Sequence, residues 1–210
     1  MRWLPLLLAL AVTAAASDPA ADAAAARRVE SALGALTSLR AAFRQSVTDA
    51  EGRLIEEAEG TMALARPGKF RWDYRVPEQV IVSDGRTVWF HDVELEQVTI
   101  RAAAETLQGT PALLLAGDAG LSAEFAIADA GTDGGLAWSR LTPRRADGDF
   151  RELRLGFAGP ELRRMLLLDR LGQVTRLEFE RIERNPRLDV SLFTFVPPAG
   201  VDVVGRAPST

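Results

Sequence analysis

The chain has 210 residues, of which 47% are hydrophobic and 26% charged, and this composition predicts a globular protein with a sizeable core. Its net charge of −4 gives no reason to expect nucleic-acid binding. It has no cysteine and one histidine, His91, which excludes disulfides, thiolate catalysis, N-terminal lipidation and metal sites built from cysteine or several histidines.

The N-terminal residues have the organisation of a secretory signal. A short cationic start precedes an apolar stretch at residues 3–12 and a run of small residues with an Ala-x-Ala site at 13–17. The apolar part is shorter than the ~20 residues of a spanning helix, so a retained membrane anchor is the weaker alternative. We expect a signal peptide at residues 1–16, cleaved after Ala16, and a single exported domain at residues 17–210.

The spacing of apolar residues turns helical over residues 22–40. Side chains three or four positions apart form one apolar stripe, and the alanine-rich composition favours a helix. The stripe consists of Val29, Leu33, Leu36, then Leu39 or Arg40, and Phe43. This pattern predicts a helix that packs on a sheet.

Residues 58–101 alternate at period two and predict a meander of antiparallel strands. Phe70, Trp72 and Tyr74 fall on one face of a strand, and its charged residues fall on the other. Trp89 alternates with two apolar neighbours, so it can face either side. Turns are predicted at residues 67–68 and 84–85. Further strands are predicted at residues 43–47, 54–65, 124–128, 136–142, 150–157, 162–169 and 173–183, about eleven strands in all.

A short helix is predicted at residues 110–116, where Thr110 suits the N-cap and Pro111 the first helical position. Three consecutive leucines, at residues 113–115, place apolar surface on more than one side of this helix. Such a helix requires burial or a hydrophobic ligand. Residues 205–210 have the composition of a loose tail.

Catalytic motifs are missing: the sequence has no G-x-S-x-G, no P-loop and no G-x-G-x-x-G. A nucleophile–histidine pair would have to use His91, with Asp92, Ser83 and Asp84 nearby. We therefore predict a binding protein and not an enzyme, with no metal and no cofactor. The large apolar face of the sheet must close over a dense core or enclose something apolar.

Four pieces of the sequence, in this order, resemble the LolA family of periplasmic lipoprotein carriers. They are residues 66–72 (Arg-Pro-Gly-Lys-Phe-Arg-Trp), residues 83–89 with 95–98, residues 109–115, and residues 193–202 (Phe-Thr-Phe-Val-Pro-Pro-Ala-Gly-Val-Asp). The similarity extends over nearly the whole mature chain.

The resemblance implies a mainly β fold: an incomplete antiparallel β-barrel of about eleven strands, covered by a lid of short α-helices that encloses a hydrophobic cavity. It also implies a monomeric carrier in the periplasm of a Gram-negative bacterium. Such a carrier accepts lipoproteins from the inner-membrane ABC transporter LolCDE, shields their acyl chains and delivers them to the outer-membrane receptor LolB.

Carried over residue by residue, the resemblance implies that Arg66 bonds to carbonyl groups of the lid and closes it. Without the resemblance, the sequence indicates only a surface arginine after a strand at residue 66. The residues assigned to the cavity and lid are Leu33, Leu36, Phe43, Met62, Leu64, Phe70, Trp72, Trp89, Ala112 and Leu115; the alternative for them is an ordinary core. Some relatives have a larger apolar residue in place of Ala112.

Other functions stay open at this point. One is a lipid-binding protein of the same fold that senses envelope stress, and another is a carrier in a specialised glycolipid pathway. The outer-membrane receptor shares the fold, but the absence of cysteine argues against it. A lipid hydrolase that uses His91 is the catalytic alternative.

Overall fold

The structure, a computed structural model, describes residues 18–103, 115–116, 121–145 and 150–207. The expected signal peptide and most of the helix expected at 110–116 therefore lie outside the described residues. Within them, no helix combines the length and the apolar character that crossing a bilayer requires.

Two α-helices, one 3-10 turn and twelve strands make up the described elements. The helices are α1 (Pro19–Gly34) and α2 (Leu121–Glu124), and the 3-10 turn is Val190–Phe193. The first six strands are β1 (Ser38–Thr48), β2 (Leu54–Ala65), β3 (Lys69–Arg75), β4 (Glu78–Asp84), β5 (Thr87–Asp92) and β6 (Gln97–Ala102). The others are β7 (Phe125–Asp133), β8 (Leu136–Pro143), β9 (Phe150–Ala158), β10 (Glu161–Asp169), β11 (Val174–Arg184) and β12 (Asp202–Gly205).

All twelve strands belong to one open sheet. Their order is β12-β6-β5-β4-β3-β2-β1-β11-β10-β9-β8-β7, and every neighbouring pair is antiparallel except β12 with β6. The expected mainly β, incomplete barrel is confirmed. The strand beyond the predicted number is β12, which pairs with a strand about a hundred residues earlier and includes Gly205, the start of the expected loose tail.

Helix α1 starts where the sequence favours a helix but ends earlier than predicted. Asp18 caps it by accepting a hydrogen bond from the Ala20 amide (2.9 Å), and Pro19 occupies the first turn. The prediction of a helix to residue 40 is wrong, because α1 ends at Gly34 and β1 begins at Ser38. Residues 39, 40 and 43 therefore lie on a strand.

A distant residue fixes this boundary. Asn185 accepts a hydrogen bond from the Thr37 amide (2.8 Å) and donates one to the Ala35 carbonyl (3.0 Å). The Asn185 backbone has a positive φ of 55°, which asparagine tolerates better than most residues. The apolar pattern around residues 36–43 fits both a helix and a strand, so this tertiary contact decides between them.

The alternation predicted for β3 is confirmed. Phe70 and Trp72 are each 2% exposed, whereas Lys69, Arg71 and Asp73 are only partly buried. The hairpin turn after β4 is also present, with Gly85 at φ +98°. One face of the sheet is thus apolar, and it is called the inner face below.

Buried side chains on the inner face and on the helices that cover it form one apolar group, called the inner cluster. Helix α1 packs against β7 and β8 and closes that side. The members that matter for the site are Val29, Leu33, Leu36, Leu39, Phe43, Met62, Leu64, Phe70, Trp72, Val88, Leu115, Leu153, Met165, Leu177 and Phe179.

Candidate functional site

Eight of the ten apolar residues assigned to the cavity and lid lie in the inner cluster. They come from α1 and the connection that follows it, from β1 to β3 and from the helical pair Leu115–Ala116, and none is more than 5% exposed. They are Leu33, Leu36, Phe43, Met62, Leu64, Phe70, Trp72 and Leu115. The structure thus brings together residues more than eighty positions apart. Ala112 lies outside the described residues.

Trp89 requires a correction, because it lies on the outer face of the sheet. Its strand neighbours Val88 and Phe90 face the inner cluster, so alternation directs Trp89 away from it. The Trp89 ring lies 6.3 Å from the ring of Phe195, in the segment after the 3-10 turn. Both faces of β5 carry apolar residues here, and the sequence therefore contained no signal for the orientation of Trp89.

Arg66 joins the turn between β2 and β3 to the pair Leu115–Ala116. Its Nε and Nη2 atoms donate to the carbonyl oxygen of Leu115 at 3.2 and 3.1 Å. Two residues further on, the Gly68 amide donates to the carbonyl oxygen of Ala116 at 2.9 Å. The guanidinium group presents fixed donors and stays charged, which suits it to hold a carbonyl group. The lid-closing role of Arg66 stays a prediction.

A second arginine, Arg184, holds the C-terminal part of α1. From the end of β11, its Nη2 atom donates to the carbonyl oxygen of Ala32 at 2.9 Å, and its Nη1 atom donates to that of Pro160 at 2.6 Å. Sequence reasoning missed Arg184, because an arginine at the end of an alternating strand looks like any solvated residue. Only the tertiary structure shows what its donors reach.

The middle of α1 is also tied to the sheet. Arg28 donates to the buried hydroxyl of Ser139 at 3.1 Å and lies 3.7 Å from the Asp129 carboxylate. Asp22 accepts a hydrogen bond from the Asp129 amide at 2.8 Å. Polar contacts thus attach α1 to β7 and β8 on one side and to β11 on the other. Helix α1 thus forms one wall of the apolar interior.

One crevice between the described walls of the apolar interior is small. An apolar crevice lies between α1, Leu115 and β11, lined by Leu33, Leu36, Phe179 and Ile182 among others, with a cavity volume of about 20 Å³. This is the space of about one water molecule. An acyl chain cannot enter this crevice unless the walls separate. As described, this crevice is therefore closed to an acyl chain.

Two polar groups lie among the aromatic rings of the inner face. The Tyr74 hydroxyl is 3.3 Å from the Gln45 side-chain oxygen, and burial, with the Glu56 carboxylate as a further cause, raises the pKa of Tyr74. The Trp72 Nε1 atom is buried and has no hydrogen-bond partner in the described part of the chain.

The residues of the catalytic alternative are not brought together. The Ser83 hydroxyl is buried and donates to the Gly68 carbonyl at 2.9 Å, on the face of β4 that continues Phe70. The His91 ring lies on the other face, 5.7 Å from the ring of Phe195. Among residues 18–103 and the later described segments, no group of His, Asp and Glu side chains could hold a metal ion.

Comparison with known proteins identifies the family. The model of the family "Outer membrane lipoprotein carrier protein LolA" matches residues 35–196. An outer-membrane lipoprotein carrier protein of Dechloromonas aromatica is 46% identical over 170 residues, which cover 80% of this chain and 82% of that protein. One of Chromobacterium violaceum is 40% identical over 201 residues, covering 95% and 96%.

One solved structure is similar to this chain in its fold. An uncharacterized conserved protein from Thermus thermophilus superposes with a TM-score of 0.53 at 18% identity, covering 88% of this chain and 98% of that one. At this identity the likeness shows the fold alone. The family match, in contrast, covers most of the chain. The chain therefore belongs to the LolA family of outer membrane lipoprotein carrier proteins.

Proposed function

We propose that this protein carries outer-membrane lipoproteins through the periplasm and shields their acyl chains between the inner face of the sheet and its helical cover. The family match and the names of its relatives support the cargo. The observation that carries the proposal is the apolar inner cluster, which includes Leu115, the residue whose carbonyl oxygen Arg66 holds. The role is binding without catalysis, as a monomer.

The energetics explain why a shielded site is needed. Each acyl CH₂ group that moves from an apolar environment into water costs ~0.8 kcal/mol. A chain of roughly fifteen carbons then costs about 12 kcal/mol, and a lipoprotein has more than one chain. Spontaneous transfer between two membranes is therefore far too slow. A soluble carrier removes most of this barrier by replacing lipid contacts with protein contacts.

We take the form in which Arg66 is bonded to Leu115 as the closed form, and it defines what loading must do. An acyl chain enters only when the segment that contains Leu115 leaves the sheet, which breaks the hydrogen bonds from Arg66 and exposes Phe70 and its neighbours. The acyl chain then takes over the apolar contacts of the cover. Reclosing of the cover restores the bonds of Arg66 and favours release. The empty and loaded forms thus compete for the same apolar surface.

The partners follow from this cycle. We propose that LolCDE supplies the lipoprotein and the energy of ATP hydrolysis, and that LolB accepts the cargo at the outer membrane. The carrier must bind acyl chains less tightly than the receptor does, so that transfer runs in one direction. Export by the signal peptide at residues 1–16 would place the protein in the periplasm, between the two partners.

A release assay tests the proposal. The protein is incubated with proteoliposomes that contain the transporter, a lipoprotein and ATP, and the soluble fraction is analysed for a one-to-one complex. The proposal expects a complex that depends on ATP. If a known carrier releases the lipoprotein and this protein does not, the cargo is different. Mass spectrometry of the lipid bound to the purified protein then distinguishes a glycolipid carrier.

A further inference from the structure

Trp72 differs from the other two described tryptophans in the burial and hydrogen bonding of its indole Nε1 atom. The Nε1 atom of Trp138 donates to the Asp133 carbonyl at 3.2 Å, and Trp89 is only partly buried. Trp72 is 2% exposed, and its Nε1–H has no partner in the described part of the chain. An indole N–H is a donor only, so nothing else on the ring compensates.

The surroundings of Trp72 are apolar and aromatic. The Phe43 ring lies 4.7 Å away and is tilted by 59°, and the Tyr74 ring lies 6.3 Å away and nearly parallel. On the adjacent strand, Trp72 pairs with Met62, which is 1% exposed. A buried donor without a partner destabilises the closed protein. Phenylalanine would fill most of this space without that cost.

This unused donor lies inside the apolar surface on which the proposed cargo is held. An acyl chain has one strong hydrogen-bond acceptor, the carbonyl oxygen of its ester or amide linkage. Two other polar groups on the inner face are already engaged: the Ser83 hydroxyl bonds to Gly68, and the Tyr74 hydroxyl lies next to Gln45. A bond from Trp72 to an acyl carbonyl would form away from competing water, where it is strong.

We propose that Trp72 Nε1–H donates a hydrogen bond to an acyl carbonyl oxygen of the bound lipid, and that the site therefore prefers ester- or amide-linked chains to ether-linked chains. This inference rests on the proposed function, because it assumes that acyl chains reach the inner face. It makes Trp72 a specificity-determining residue. The indole ring supplies apolar contact to any chain, and its N–H distinguishes the linkage.

The test compares two lipids that differ only in the carbonyl groups. Dioctanoylglycerol, with ester linkages, and dioctylglycerol, with ether linkages, each displace a fluorescent apolar dye from the protein. We expect the wild type to bind the ester about three- to tenfold more tightly, the range of one neutral hydrogen bond. Trp72→Phe should reduce this ratio to below about twofold and retain affinity for the ether. The control, Trp89→Phe, should keep the wild-type ratio.

The outcomes separate the two proposals. If neither lipid displaces the dye from the wild type, the carrier function itself fails. If both bind equally to the wild type, only the Trp72 inference is overturned. A preference that persists in Trp72→Phe belongs to another donor and also overturns it.

An NMR measurement keeps the inference testable if Trp72→Phe does not fold. Indole N–H resonances of the wild type are recorded with each lipid, and that of Trp72 is assigned by comparison with variants of the other tryptophans. We expect the ester lipid to move the Trp72 resonance downfield of its position with the ether lipid. Equal positions with saturating amounts of both lipids would contradict the proposed bond.

Discussion

The guanidinium group of Arg66 and the carbonyl oxygen of Leu115 are joined by two hydrogen bonds, of 3.2 and 3.1 Å, across 49 positions of the chain. Both donors share one acceptor, so together they count as about one charged hydrogen bond, which contributes about 1.5–3 kcal/mol. In the proposed cycle they exist only while the segment that contains Leu115 rests on the sheet. In that cycle the contact stabilises the closed form, and the loaded form lacks it.

Replacement of Arg66 by leucine should therefore impair delivery and leave folding intact. If the closed form loses about 1.5–3 kcal/mol, opening becomes easier and acyl chains bind roughly ten- to a hundredfold more tightly. We expect uptake from the transporter to persist and transfer to the receptor to fall by about tenfold or more. The measurement is the rate at which a preloaded lipoprotein moves to receptor-containing liposomes.

A matched control for Arg66 is available at the next turn of the same sheet end. Arg86 is exposed, and Arg86→Leu should transfer cargo at the wild-type rate. Wild-type transfer by Arg66→Leu as well would remove Arg66 from the mechanism.

Arg184 should contribute to stability through α1. Arg184→Leu removes donors to the carbonyl groups of Ala32 and Pro160, and we expect the free energy of unfolding to fall by about 1–3 kcal/mol. The rate of amide hydrogen exchange near the C-terminal end of α1 should rise as this free energy falls. Arg163 is the control, because its bridge to Glu161 is solvent-exposed and Arg163→Leu should change stability by less than about 1 kcal/mol.

Phe70→Glu should strongly destabilise the protein. Phe70 is 2% exposed and is paired with Leu64, which is fully buried, so a carboxylate there is desolvated without a partner. We expect a loss of at least about 3 kcal/mol in denaturant unfolding, against about 1 kcal/mol for Phe70→Leu. A loss below about 1 kcal/mol for the glutamate variant would mean that residue 70 is solvated in solution, as in an open form.

The stability of the protein should fall in alkaline solution because of Tyr74, the only tyrosine. Burial raises its pKa in the folded protein above the ordinary value of 10.0, so the folded state keeps the proton when the unfolded state loses it. The contribution of the Tyr74 hydroxyl to the free energy of unfolding is fully present below pH 10. It is lost as the pH rises above 10, by up to about 1.4 kcal/mol per pH unit. Denaturant unfolding of the wild type and of Tyr74→Phe between pH 8 and 11 checks this. Equal slopes for both proteins would contradict it.

Strands β2 to β11 were predictable because each carries its own signal. Alternation in β3 and the glycine turn after β4 depend on residues within about ten positions, and the structure reproduces both. The boundary between α1 and β1 was not predictable, because the apolar residues there fit the spacing of a helix and that of a strand. Asn185, about 150 positions away, decides the outcome by bonding to Thr37 and Ala35.

The site was predictable only in part for a related reason. Membership of the inner cluster follows from apolar alternation, which is why Phe70, Trp72 and Met62 are found together. Trp89 could not be oriented, since both faces of its strand are apolar. The partners of Arg184 are backbone carbonyl groups, and no local pattern marks a carbonyl group that a distant arginine will reach.

Strand β12, in the C-terminal segment, covers one edge of the sheet. It pairs with β6 from Asp202 to Gly205, and a side chain at residue 205 would collide with the Ile100 carbonyl oxygen, so this tight approach requires glycine. Without β12, the six residues of β6 would present a free row of backbone donors and acceptors, which other chains can join. With it, the strand at this edge of the sheet is only four residues long. Loss of the last ten residues should therefore appear first as self-association at high concentration, before any loss of cargo binding.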